Sequence, residues 1–313
     1  MAVPEPAARP WPARRAPTSR DRKRAAAAVL LTPFFVLFAA AMLAPIGYAI
    51  WLSLFRTHRS GLGFGGTSTV FSGLANYTSV LGDPAFRSGF VHVALYAVLF
   101  VPVMLASALA VAMLLDSALA RAKRFFQLTL FLPHVVPGVI AALVWAYLYT
   151  PNISPVVRVL QSVGVPFNLS SVTTDLPGMA NIGLWEVLGY NVVIFYAALQ
   201  AIPGEVLEAA VVDGASEARV AWSVKLPMIR TSLGLVGLFT GVGVLQLFNE
   251  PWMMSQNGAA AITSKWVPNM YTYTEAFQNA DYGRAAAGSL LIALVSGLLS
   301  FAVTRISNPW SRA

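Results

Sequence analysis

Apolar residues in this chain fall in long uncharged runs, not in the every-second alternation of a half-buried strand. Six such runs, bounded by charges or turn residues, cover about 25–55, 89–115, 125–149, 179–201, 231–249 and 285–304. A bilayer core about 30 Å thick takes roughly 20 apolar residues as a helix, and each run is near or above that length. Helices are the expected form, because lipid offers no partner to a free backbone amide and barrel strands would alternate. The pattern predicts an all-α membrane protein with six transmembrane helices over 25–307. Residues 1–24, rich in Ala, Pro and Arg, are expected to be a disordered tail, and 308–313 a short C-terminal end. The first run is too long for a signal peptide and lacks a small-residue cleavage site, so it reads as a retained helix.

Polar interruptions refine the picture. Within the third run Pro133 and Pro137 each remove a backbone donor and crowd the carbonyl one turn earlier, which predicts a kink. The kink can serve packing or line a pathway. Three links of about thirty residues, after the first, third and fifth runs, carry Gly, Pro and Asn and predict turns and short interfacial segments. A different pattern occupies 203–230. Pro203 suits a helix start with Glu205 and Glu208 near its positive end, AspGly at 213 and 214 ends that helix, Ser216 can cap a second, and Pro227 ends or kinks it. The prediction is helix, glycine turn, helix. Its apolar strips, Val206 with Ala209 and Ala210, and Val220 with Val224, suit either a lipid interface or a partner's groove.

Composition agrees with a membrane protein: 11% of the residues are charged, against about 25% in an ordinary soluble domain. The net charge of +8 follows the topology, and this argues against nucleic acid as a partner. Of 21 Lys and Arg, 15 lie in the N-terminal tail, the links after runs two and four, and the C-terminal end. Positive-inside bias then places both termini and the 203–230 hairpin in the cytoplasm. With no cysteine, thiol catalysis, thiolate metal sites and disulfides are excluded. No phosphate-binding loop, zinc-protease helix or nucleophile elbow occurs, and His58, His92 and His134 are scattered, so neither a catalytic site nor a metal site is expected in the chain itself.

The hairpin carries a spacing that goes further: Glu208, Ala209, Ala210, then Gly214, then Val224, Leu226 and Pro227. This resembles the EAA loop of ABC-type importer permeases, with Val224 standing where the family usually has Ile. LWEVLGYNVVIFYAALQAIPGEVLEAAVVDGAS, FFQLTLFLPHVVPGVIAALVWAYLY, GLANYTSVLGDPAF and YGRAAAGSLL resemble the carbohydrate branch, the maltose and oligosaccharide importers. Two departures soften the substrate assignment: Arg284 stands at a commonly uncharged position, and GlnAsnGly at 256–258 replaces an expected GlyGlyPro.

The resemblance implies the type I importer permease fold with a cytoplasmic coupling loop between spans four and five. It implies a second permease, usually a different chain, two ATPase subunits that bind ATP and magnesium, and an extracellular binding protein that delivers a di- or oligosaccharide. ATPase docking falls to Glu208, Ala209, Ala210, Asp213, Gly214, Leu226 and Pro227, with the Glu208 carboxylate offered to a basic residue of the partner. The solute path falls to His134 and Gly138 beside the kink, to Leu188, Gly189 and Val192, and to one face of the fifth span at Thr240, Val244 and Leu247. His134 could stack on a sugar or serve packing; both stay open.

Intramembrane Asn191, Gln200, Gln246 and Asn249 can pack helices or meet solute, and Glu186 and Glu250 are expected near the outer ends of their spans. The alternatives are a permease for a glycerol phosphodiester or polyol phosphate, which would favour basic residues along the path, and an ion-driven secondary transporter. The latter needs a mid-membrane charge relay, and the span centres carry no Asp, Lys or Arg.

Overall fold

The computed structural model describes residues 19–59, 67–117, 119–150, 154–164, 172–256, 259 and 261–307. It divides into two compact units, 1–51 and 52–313. In the first, a helix begins at Ser19, inside the segment expected as tail, and its apolar stretch runs Ala27–Ser53 (α1) with one wide π turn at Ala39–Leu43. The expected tail residues before it, and the C-terminal end 308–313, lie outside the described residues.

The second unit opens with an antiparallel hairpin that the run pattern did not predict. Its strands are β1 (Phe55–Arg59) and β2 (Thr67–Phe71), with Phe55 opposite Phe71. A short helix, α2 (Ala75–Gly82), leads to α3 (Pro84–Asp116). Asp83 and Pro84 make that start sharp: the Asp83 side chain accepts from the Ala85 N–H at 3.0 Å, and the proline stands where its missing N–H costs nothing. There follow α4 (Lys123–Phe131), a 3-10 turn at Leu132–Val135, α5 (Gly138–Leu148), α6 (Pro155–Ser162) and α7 (Val172–Gln200).

The hairpin region gives α8 (Gly204–Val212) and α9 (Glu217–Val220), the latter continued by a π turn at Ala221–Lys225 and a last turn at Leu226–Met228. The chain closes with α10 (Arg230–Leu245), α11 (Asn249–Gln256), α12 (Pro268–Tyr273), a π turn at Thr274–Gln278, and α13 (Tyr282–Ser307).

Packing follows the helical period. On α3, Val93, Tyr96, Phe100, Met104, Ala108 and Ala112 recur every three or four residues and are all buried. They share a core with Ile182, Val192, Phe195 and Leu199 of α7. A smaller cluster of Val80, Phe86, Tyr271, Ala287 and Ile292 joins α2, α3, α12 and α13.

Among the described residues five helices are long and apolar enough to cross a membrane, and six when the bent pair α4 and α5 counts as one span. Two expectations change. The third span is broken rather than kinked, its halves 95° apart. The fourth and fifth apolar helical stretches run longer than expected, over Asp175–Gln200 and Arg230–Gln256, which puts Glu186 eleven residues into its stretch and Glu250 six residues before the end of its own.

Candidate solute cavity and docking hairpin

Two of the spanning helices are interrupted. Pro133 and Pro137 leave α4 and α5 without a continuous ladder, and the 3-10 turn between them carries His134. The second interruption separates α10 from α11 at 246–248, where Pro251 has no N–H for the Leu247 carbonyl one turn back. There Asn269 takes over the freed acceptors, its side-chain amide donating to the carbonyls of Leu245 at 2.9 Å and Leu247 at 3.4 Å. Broken helices persist in a membrane where protein or a water-filled cavity satisfies the freed groups.

A cavity of about 300 Å³ opens where the two breaks meet α3 and α7. Its walls combine aromatic faces, Tyr96 and Phe100 from α3 with Tyr190 from α7, and polar groups, Glu186, Gln246, Asn249 and Glu250. Among the described residues no Lys or Arg lines it.

Of the residues expected on the path, His134, Thr240, Val244 and Leu247 line this cavity. His134 is also packed: its ring stacks on Tyr190 at 4.7 Å, and its Nδ1 lies 3.3 Å from the carbonyl oxygen of Glu186. Gly138 is not among the lining residues, but an added Cβ there would come within 3.0 Å of the Asn249 amide nitrogen and 3.1 Å of Glu186 Oε1. Leu188, Gly189 and Val192 are not among the lining residues. Val192 is fully buried in the core, Leu188 packs against the same core, and Gly189 lies against the Leu130 carbonyl of α4.

Tyr96 and Phe100 went unread in the sequence, although an aromatic pair four apart in an apolar run puts two rings on one helix face. Asn191 bonds within its own helix, to the Val187 carbonyl at 2.9 Å, and to Met104 Sδ at 3.2 Å.

The 203–230 segment folds as the sequence predicted. Gly214 adopts φ +81°, and the Ala215 N–H reaches back to the Ala210 carbonyl at 3.0 Å, closing α8 with a left-handed glycine cap. Ser216 then caps α9, accepting from the Arg219 N–H at 3.4 Å. Glu208, Ala209, Asp213, Gly214 and Pro227 are exposed, while Ala210 and Leu226 are half-buried. Val206, Val211, Val212 and Trp222 add a large exposed apolar surface, with Val212 at 86% and Trp222 at 69%. Val220, in contrast, turns inward and is buried.

The hairpin is tied to the spans by one charged cluster. Lys225 pairs with Asp116 at the end of α3, and the amide of Gln200, at the end of α7, donates to the other Asp116 oxygen at 2.6 Å. Gln200 therefore serves packing at this end of the spans.

At the opposite end of α3, Arg284 donates to Asp83 at 2.9 Å and to the Tyr271 hydroxyl at 2.5 Å, and Tyr271 in turn donates to Asp83 at 3.0 Å. Lys265 bonds the buried Glu275 at 2.5 Å. Burial alone would raise the Asp83 carboxyl, but the Ala85 N–H, the Tyr271 hydroxyl and the charges of Lys265 and Arg284 outweigh it, so Asp83 is held below its ordinary 3.8. Burial pushes the Tyr271 hydroxyl up.

Apolar spanning helices, two of them broken around a polar and aromatic cavity, and a helical hairpin presenting exposed apolar and acidic groups define a multi-pass membrane transport subunit. The chain belongs to the family of binding-protein-dependent transport system inner membrane components, the permease subunits of ABC importers; the family model matches residues 108–312.

Among curated relatives, the diacetylchitobiose uptake system permease protein NgcF of Streptomyces coelicolor is 31% identical, with 97% of this chain and 89% of that protein covered. The sn-glycerol-3-phosphate transport system permease protein UgpA of Brucella abortus is 29% identical over 87% of this chain and 91% of its own length. A crystal structure of a bacterial ABC transporter that imports the acidic polysaccharide alginate has one chain that superposes with a TM-score of 0.77 at 19% identity. The match covers 92% of this chain and 97% of that one, a likeness of fold.

Proposed function

We propose that the chain forms part of the translocation path of an ATP-driven importer for a di- or oligosaccharide. An extracellular binding protein delivers the sugar, a second permease completes the path, and two ATPase subunits bind ATP and magnesium beneath. The observation that carries the reading is the cavity at the two helix breaks: aromatic faces suit pyranose rings, and carboxyl and amide groups suit hydroxyls. The lack of Lys or Arg among its lining residues favours a sugar over a polyol phosphate, the solute class in the name of the Brucella relative. The name of the Streptomyces relative, an uptake system for a neutral disaccharide, agrees.

The hairpin 203–230 is the coupling element. Its exposed apolar surface fits a groove in an ATPase subunit, and Glu208 fixes the orientation through a charged hydrogen bond to a basic residue there. Both termini and this hairpin face the cytoplasm, a reading supported by the bias of Lys and Arg to that side. Closure of the ATPase pair on ATP draws the hairpins together and opens the path outward.

The test is transport of radiolabelled disaccharides into proteoliposomes holding the whole complex with its binding protein. Glu208→Lys, or Gly214→Pro, which forces φ near −65° where the turn needs +81°, leaves the chain inserted but stops ATP-driven uptake. Wild-type uptake by either variant refutes docking through this hairpin.

A further inference from the structure

The cavity's two acidic residues occupy a particular place. Gly138 is the first residue of the eleven-residue half-helix α5, and the Glu186 carboxyl oxygens stand 3.1 and 3.7 Å from where a Cβ on Gly138 would be. Glu250 stands in the first turn of α11, the second half of the other broken span. Both acids therefore sit at the N-terminal end of a half-helix, the end whose free N–H groups and positive dipole attract anions. Such ends are where a broken-helix transporter can hold an anionic group of its solute. In this chain the protein's own carboxyl groups are already there, and both line the cavity.

The remaining lining groups do not offset them. His134 is the one basic side chain among the described lining residues, its Nδ1 directed to the Glu186 carbonyl and its ring stacked on Tyr190. A phosphate or carboxylate entering the cavity would meet two carboxyl groups and no Lys or Arg, in surroundings where desolvating an unpaired anion is costly. An uncharged ring with several hydroxyls meets acceptors at Glu186, Glu250 and Asn249, and flat faces at Tyr190 and Phe248.

We infer that Glu186 and Glu250 are the specificity-determining residues of the path, acting as a built-in charge filter that admits hydroxyl-rich neutral solutes and rejects anionic ones. This rests on the reading of the cavity as the solute path and names the solute's charge class.

The experiment is saturation-transfer NMR on the purified complex of permease and ATPase subunits without its binding protein, so that only the transmembrane site reports. The probes are a neutral panel of cellobiose, maltose and diacetylchitobiose, and the anion glycerol 3-phosphate. Wild type is expected to give signal from at least one neutral disaccharide and none from the phosphate. In the Glu186→Gln/Glu250→Gln double variant a phosphate signal appears, and its ratio to the neutral signal is at least ten times the wild-type background. Co-purification of the ATPase subunits with the variant reports that it is folded, and a Glu186→Asp/Glu250→Asp variant, keeping the charge, should still exclude the phosphate.

Phosphate binding to wild type, or an unchanged ratio in the Gln variant, overturns the filter. If disaccharide is transported with its binding protein while the ratio stays unchanged, the filter alone fails. If no disaccharide is bound or transported, the sugar reading fails with it.

Discussion

Replacing Gly189 by alanine separates a packing role from a solute contact, because the expected damage can be worked from one close approach. A Cβ built on Gly189 would lie 1.8 Å from the Leu130 carbonyl oxygen, 2.2 Å from its carbon and 2.8 Å from the Phe131 nitrogen. All three are backbone atoms of α4, so no rotamer change relieves them. Real Cβ atoms stay beyond 3.0 Å, so α4 must retreat from α7 by at least about 1.2 Å. The same arm ends in the turn bearing His134, whose 3.3 Å contact with the Glu186 carbonyl would open.

Overpacking of this kind costs about 1–3 kcal/mol, and a rigid backbone neighbour puts it at the upper end. Loss of the His134 bond adds about 1 kcal/mol. Alanine returns up to about 1 kcal/mol through its better helix propensity. The net is about 3 kcal/mol, which for a chain of this size corresponds to roughly 5 °C in apparent melting temperature.

The assay is thermal unfolding of the purified complex, with Gly241→Ala in α10 as the control. Nothing stands within 4 Å of a Cβ at Gly241, so that variant keeps or slightly raises the melting temperature. If Gly189→Ala melts with Gly241→Ala and only transport suffers, Gly189 lines the path and the packing argument is wrong.

Two further outcomes follow from the charged clusters at either end of α3. Asp116→Asn removes the anion that holds Lys225 and leaves the half-buried ammonium without it, at about 2 kcal/mol for a partly exposed pair. Amide exchange across 217–229 should quicken roughly 30-fold, and unchanged exchange there would show that the hairpin is held by other contacts. At the other end Asp83 is held below its ordinary 3.8, so the folded state binds fewer protons than the unfolded one as pH falls. Its contribution is complete above that ordinary value and is lost as pH drops through the lower folded one. An acid melt of wild type should therefore lose stability more steeply below about pH 4 than Asp83→Asn does, and parallel curves would contradict the assignment.

Whether a feature was legible in the sequence depended on where its hydrogen bonds close. The hairpin could be read residue by residue because its determinants are local: Gly214 closes α8 through Ala215 and Ala210, and Ser216 caps α9 three residues on. The break at Pro133 and Pro137 announced itself through two missing donors, but not its 95° angle, nor the close approach of α4 to α7 at Gly189.

The second break went unread although its signal is present: 246–248 holds neither Gly nor Pro, but Pro251 has no N–H to donate to the Leu247 carbonyl and its ring crowds that turn. Asn269, more than twenty residues downstream, satisfies the acceptors left over there, the Leu245 carbonyl and the Leu247 carbonyl that Pro251 cannot serve. The same break puts Glu250 in the first turn of α11, six residues before the end of the apolar stretch. The acidic character of the cavity is thus a tertiary property: the carboxyl groups and the prolines near each helix start were visible in the sequence, and their convergence on one cavity was not.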